Sequence, residues 1–331
     1  MSVPERPILV APDSFKGTFR ASEVAAAVGR GIERAGLMPP DLCPVADGGD
    51  GTTDALLPAL GGETTATEAH DPLGRPLRAG FALLEDGGTG LVECASASGL
   101  SLVAEDERDA WAASTYGTGE LIAAAVEAGA QVVLVAVGGS ATTDGGAGAL
   151  QAIEDHGGLR GARLVVICDV TTPFERAPVV FGPQKGADPD MVIRLRERLE
   201  KLAETWPRDP RGVPMTGCAG GLSGGLWAAH GATLEAGAPW VLDALGFDER
   251  MRAARAVVTG EGKLDDQTLQ GKIVGEIGTR TRQAGVPLHA VVGTDAMDAF
   301  SKRMIDLQRV IEATNLEELE AAGEALGREL A

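Results

Sequence analysis

Between Gln131 and Leu150 the chain reads QVVLVAVGGSATTDGGAGAL, and this stretch narrows the fold more than any other. An apolar, β-branched run, Val132 to Val137, stops at Gly138-Gly139. A small hydroxyl-rich loop follows, then Asp144, two more glycines and an Ala-rich segment suited to a helix. Strand, glycine loop and helix start together present free backbone N–H groups to an anion. The glycines let the backbone approach a ligand with no side chain in between. A carboxylate among such donors competes with phosphate, so Asp144 is expected to hold a divalent cation or a proton. An ordinary strand-to-helix turn is the plain alternative.

Charge limits the partners. The 331 residues carry 48 acids against 29 Lys and Arg, a net charge of −19. That balance argues against nucleic acid and anionic membrane. An anionic substrate would then need local basic residues or a metal. No apolar run reaches the ~18 residues of a spanning helix, and MSVPERPILVAPDSF lacks the pattern of a signal peptide. Cys43, Cys94, Cys168 and Cys218 are scattered without a CxxC, and read as buried thiols of a reducing cytoplasm.

Strand and helix patterns alternate, which predicts an α/β fold with parallel sheets and crossover helices. Strands are expected at Ile8–Ala11, Asp41–Ala46, Val132–Val137, Leu164–Cys168, Ala256–Val258, Leu288–Val292 and Val310–Ile311. Helices are expected at Ala21–Ala35 with Ser22 as N-cap, Asp50–Leu60, Thr118–Ala128, Gly145–Glu154, Asp188–Glu204, Gly220–Ala229, Thr268–Ala284 and Asn315–Leu330. From His70 the texture turns to antiparallel alternation, at Ala79–Leu84 and Gly90–Cys94. The βαβ pattern returns near Ala256. A domain over 70–254 inserted into a discontinuous one, 1–69 plus 255–331, accounts for both changes.

Five strand ends share small residues, glycine and an acid or lysine. Ligands of open α/β sheets bind beyond the carboxyl ends of strands. Asp13, Ser14 and Lys16 follow the first strand, where Asp13 suits a proton acceptor or metal carboxylate and Lys16 a counter-charge for an anion. Asp47, Gly48, Gly49 and Asp50 follow the second; Asp50 could simply cap a helix. Gly138, Gly139, Ser140, Thr142 and Asp144 form the opening loop. Asp169 ends another strand, and Gln184-Lys185 lead to a helix where lysine can clamp a phosphate. Glu261, Lys263, Asp265 and Asp266 crowd behind the fifth, a mixture suited to Mg²⁺ and a phosphoryl group. No P-loop is present, no GxGxxG follows a strand, Gly139-Ser140 lacks the second glycine of a GxSxG elbow, and the four histidines are dispersed.

In order along the chain, APDSFKG, PVADGGDGT, TYGTGELI, GGSATTDGGAG, FGPQKGA and TGEGKLDDQT resemble motifs of the glycerate kinase family, of the bacterial glyoxylate and sugar-acid pathway type. The resemblance spans nearly the whole chain. It departs at the short segment Gln151–Leu164, at TTPFERAP after Cys168, and at Gly293-Thr294-Asp295 with a short C-terminal part.

The resemblance implies two α/β domains with a cleft. One is a Rossmann/flavodoxin-like parallel-sheet domain built from both chain ends; the other is the inserted mixed α/β domain. It implies transfer of the ATP γ-phosphoryl group to D-glycerate, with 2-phosphoglycerate the favoured product. ATP and Mg²⁺ are the implied cofactors, and a homodimer is among the open assemblies. Gly138, Gly139, Ser140 and Thr142 would touch phosphates, and Lys16 or a backbone nest the glycerate carboxylate. Asp13, Asp47, Asp144 and Asp169 compete as metal ligand and proton acceptor, with Asp144 and Asp169 favoured for metal and Asp47 for the proton. Ser14, Gly48, Gly49, Asp50, Gln184, Lys185, Glu261, Lys263 and Asp265 complete the expected binding set. A kinase for a related hydroxy acid, or a non-catalytic sugar-acid or nucleotide sensor, is the alternative.

Overall fold

The structure is a computed structural model that describes residues 6–15, 17–265, 268 and 272–331. Its strands follow in chain order as β1 (Ile8–Pro12), β2 (Asp41–Leu42), β3 (Gly62–His70), β4 (Pro76–Leu84), β5 (Thr89–Glu93), β6 (Val132–Ala136), β7 (Arg163–Cys168), β8 (Thr233–Ala236), β9 (Ala256–Gly260), β10 (Lys263–Leu264), β11 (Leu288–Val292), β12 (Thr294–Asp295) and β13 (Leu307–Glu312). Helices fill most of the crossovers, so the fold is α/β as expected. Among the described residues no helix is long and apolar enough to cross a membrane. The chain divides into two compact units. One holds the chain through Asp47, Asp54–Ala59 and Ala238–Ala331; the other holds Gly48–Thr53 and Leu60–Gly237.

In the two-ended unit, five parallel strands lie in the order β13-β11-β9-β1-β2. β1, β9 and β11 are buried along their whole length, because helices cover both faces of such a sheet. The chain leaves β1 toward β2 on one side and later returns to β9 on the other. The strand order therefore reverses at β1/β9, the usual place for a ligand in an open sheet.

The helix Ala21–Arg34 buries Val24, Val28 and Ile32 on one face. Ser22 is not its N-cap. The helix starts at Ala21 as expected, with Arg20 at the cap position and its N–H bonded to the Glu23 carboxylate, while Ser22 donates to Asp54. This helix packs on the terminal helix Leu316–Leu330. A Cβ on Gly31 would stand 2.0 Å from the Glu320 carbonyl, and one on Gly323 2.2 Å from that of Val28. Only bare backbone allows that approach. The helix expected from Thr268 begins at Ile273 instead.

In the other unit, β3-β4-β5-β6-β7-β8 form one mixed sheet, antiparallel from β3 to β5 and parallel from β5 to β8. The antiparallel pairing of β4 with β5 agrees with the alternation in the sequence; β3 is an addition to it. Val133, Val135, Val166, Leu121, Ile122 and Leu222 join in its core. The helix expected at Gly220–Ala229 runs from Cys218 to His230, with left-handed backbone at Ala219, Gly220 and Gly221. That kink lets it meet the 138–146 loop closely: Gly145 N–H bonds the Gly220 carbonyl at 3.0 Å, and a Cβ on Gly220 would stand 2.0 Å from the Thr142 carbonyl.

Candidate active site

Within the two-ended unit, the carboxyl ends of β1, β9 and β11 open onto a cavity of about 590 Å³. Asp13 follows β1 directly, and its N–H is fixed on the Gly260 carbonyl at 2.8 Å. Its carboxylate accepts from Ser14 N–H at 2.6 Å. Asp47 reaches the same cavity from the segment after β2, and Glu261, Lys263, Asp265 and Lys272 line it from beyond β9. Asp13, Asp47 and Glu261 are buried. Burial pushes the Glu261 carboxyl up to about 7, and the neighbouring charges of Asp265 and Asp47 add to this. The Thr268 hydroxyl, donating to Glu261 Oε1 at 2.6 Å, and the Lys272 charge hold it back. A carboxyl that changes charge near neutrality is suited to moving a proton. Lys263 is exposed and pairs with Asp265 at 3.2 Å. Lys16, expected beside Asp13, lies outside the described residues, as does Asp266.

The other unit gathers a second group at the carboxyl ends of β5, β6 and β7. Gly48 and Gly139 take left-handed backbone, at φ +92° and +75°. Gly138 packs so tightly that a Cβ there would stand 2.5 Å from Gly49 Cα and 3.1 Å from the Asp169 carboxylate. Lys185 is 5% exposed, and its ammonium donates to Ser140 Oγ at 2.9 Å and the Thr142 carbonyl at 2.6 Å. Burial pulls its pKa down to about 8, against the raising effect of Asp144 and Asp169. Two of its three N–H groups are bonded among the described residues, which leaves one for a ligand. Gln184 and Asp50 are exposed.

Two expectations change in this group. Thr142 is fully buried and its hydroxyl lies 3.4 Å from the Ala219 carbonyl, so it supplies a wall and a carbonyl rather than a phosphate donor. Asp144 is 1% exposed. Its Oδ2 accepts from Thr115 N–H and Oγ1, both at 2.8 Å, and from Gly148 N–H at 3.1 Å; its Oδ1 accepts from Gly146 N–H at 3.0 Å. Four donors fill the roughly four lone-pair sites of a carboxylate. This geometry suits a residue that organises the loop, not one held open for metal. Among the described residues no cluster of three or more His, Cys, Asp or Glu side chains could hold a metal ion.

Glu93, at the end of β5, was not singled out from sequence. It is buried, and its carboxylate accepts from Gly51 N–H at 3.3 Å and Thr53 N–H at 2.5 Å. It thereby meets the open amides at the start of the helix Thr52–Leu60, the job expected of Asp50. Burial raises its pKa, and the Thr53 hydrogen bond opposes this. The apolar run before it, with no glycine or second acid behind, offered little signal.

Comparison with known proteins identifies the family. A family model described as the glycerate kinase family matches residues 8–156 and 154–327. The chain is 38% identical over 333 residues to glycerate kinase of Bacillus subtilis (strain 168), covering 88% of this chain and 86% of that one. It is 35% identical over 340 residues to glycerate 2-kinase of Escherichia coli (strain K12), covering 90% and 88%. A crystal structure described as glycerate kinase 2 from Salmonella typhimurium LT2 superposes with a TM-score of 0.82 at 31% identity, covering 98% of both chains. The chain belongs to the glycerate kinase family.

Proposed function

We propose that the protein transfers the γ-phosphoryl group of ATP to the 2-hydroxyl of D-glycerate. The observation that carries this is the buried Lys185 ammonium, held by Ser140 and Thr142 within the glycine loop at the end of β6. The family membership and the resemblance to a protein named glycerate 2-kinase support the acceptor and the position.

Phosphoryl transfer requires charge neutralisation and alignment more than covalent chemistry. Lys185 supplies a point charge for phosphoryl oxygens, and Gly138 and Gly139 supply close backbone approach. In the two-ended unit, Asp47 is our choice as acceptor of the glycerate hydroxyl proton, with Asp13 and Glu261 in the same cavity. Mg²⁺ entering with the nucleotide keeps most of its waters and needs only one or two carboxylates. Asp169, whose carboxylate lies beside the bare Gly138 in the glycine loop, is our choice for that ligand. The ion would neutralise phosphate charge. Four free, buried cysteines support a reducing compartment such as the cytoplasm.

A coupled ADP-release assay with D-glycerate tests the reading, and phosphorus NMR of the product tests the position. ADP above background and a 2-phosphoglycerate resonance are expected. A panel of other hydroxy acids that outpaces D-glycerate would overturn the acceptor, and no ADP with any acid would overturn the kinase.

A further inference from the structure

In a strongly acidic protein, the Arg108 guanidinium has no counter-charge among the described residues. Acids surround it in sequence, at Glu105, Asp106, Glu107 and Asp109. Two of these are engaged elsewhere. Glu107 pairs with Arg75 at 3.1 Å, and Asp109 accepts from the N–H groups of Trp111 and Ala112. The Arg108 Nε is buried with no hydrogen-bond partner, and among the described residues no hydrogen bond or ion pair engages the rest of the group. A buried N–H left open is costly, so such a group persists only where something else offsets it.

The backbone of Arg108 lies against the turn that follows Lys185. Gly186, the residue after Lys185, adopts φ +89°, and a Cβ there would stand 2.6 Å from the Arg108 carbonyl. Ala110 packs against Ala187 and Leu195, which ties the loop to the same turn from the other side. Further back, Leu100 N–H bonds the Gly139 carbonyl at 2.8 Å, and Ala141 N–H bonds that of Ser98 at 2.9 Å. The loop that bears Arg108 is therefore fastened both to the glycine loop and to the turn that delivers its lysine.

We propose that Arg108 is a binding residue for an oxyanion, the carboxylate of the acid substrate or a phosphate of the nucleotide, alongside Lys185. A planar guanidinium matches either group with two parallel hydrogen bonds, which a lysine cannot do. This inference rests on the kinase reading above.

Steady-state kinetics and calorimetric titration with D-glycerate and with ATP, on the wild type, Arg108→Gln, Arg108→Lys and the exposed control Arg196→Gln, provide the test. The expected result is a tenfold or larger rise in KM and Kd for one ligand in Arg108→Gln, partial recovery in Arg108→Lys, and no change in Arg196→Gln. A rise for D-glycerate identifies the carboxylate as the partner; a rise for ATP identifies the phosphate. Melting temperature reads folding separately, and Arg108→Lys keeps the test open if Arg108→Gln is unstable. Wild-type turnover with both constants unchanged in the Arg108 variants overturns the role of Arg108 alone. Wild type that binds neither ligand and releases no ADP overturns the kinase reading instead.

Discussion

The ammonium of Lys185 lies 2.9 Å from the hydroxyl of Ser140, and both side chains are closed off from solvent. With a pKa pulled from 10.5 to about 8, Lys185 loses its charge just above neutrality. A reaction that needs this cation should decline on an alkaline limb centred near pH 8. Stability runs the other way. Between about 8 and 10.5 the unfolded chain binds a proton that the native one lacks, so this group makes unfolding harder as pH rises. Lys185→Met should lower kcat/KM by roughly 10²–10³, the usual cost of removing one preorganised charge-stabilising donor. A pH–rate profile of the variant checks the assignment: an alkaline limb that survives the substitution would show that another group causes it.

Asp144 and Asp169 should separate cleanly. Asp144→Asn places an amide among four donors, and is expected to destabilise the protein by about 3 kcal/mol through lost charge-assisted hydrogen bonds. The Mg²⁺ concentration for half-maximal rate should not move. Asp169→Asn should raise the Mg²⁺ requirement. Equal shifts in Mg²⁺ requirement for the two variants would return Asp144 to the metal.

Gly138→Ala tests backbone proximity. The added methyl would sit 2.5 Å from Gly49 Cα, and neither backbone can move away as a flexible side chain does. A loss of about 1–3 kcal/mol is expected, with a lowered kcat/KM because the loop loses its shape. Denaturant unfolding and initial rates measure both. A fully stable and active variant would mean that the 49 and 138 segments do not lie so close.

His289 predicts acid sensitivity. It is 3% exposed on β11, and among the described residues neither ring nitrogen has a hydrogen-bond partner. Burial first, and the Arg309 charge second, lower its pKa below 6.5. Its folded form therefore prefers the neutral ring. Stability from this preference is intact above about pH 6.5 and is lost as pH falls below it, because the unfolded chain takes up the proton first. His289→Leu should shrink the stability difference between pH 7.5 and pH 5.5, and gain about 1 kcal/mol by removing the unpaired groups. Urea titrations at the two pH values decide it, and an unchanged difference would clear His289.

Much of this was legible because buried parallel strands leave a plain trace. β11 was expected at Leu288–Val292 and lies there, since five apolar-dominated residues between turns have few other fates. β3 was missed for the opposite reason. GETTATEAH is polar and mostly exposed, and it is held by nine registered pairs with β4 rather than by burial. Asp13, Asp47 and Glu261 stood out because each directly follows an apolar run near glycine. Arg108 did not, because its meaning lies in which neighbours decline to pair with it, and that is a property of side-chain geometry.

The packing of Gly31 against Gly323 also sets an order of events during synthesis. The first helix cannot find its seat until the last fifteen-residue helix has been made, and β1 must wait for β9 on one side. A growing chain commonly folds its leading domain first. Here the interior unit is complete in sequence at Gly237, about ninety residues before Leu330 closes the partner helix. The nascent segment with the apolar β1 and the amphipathic helix Ala21–Arg34 therefore remains without these partners until β9 and the helix Leu316–Leu330 have been made. Loss of the helix Leu316–Leu330 would leave that segment open to wrong partners and to proteases, about three hundred residues away from the loss itself.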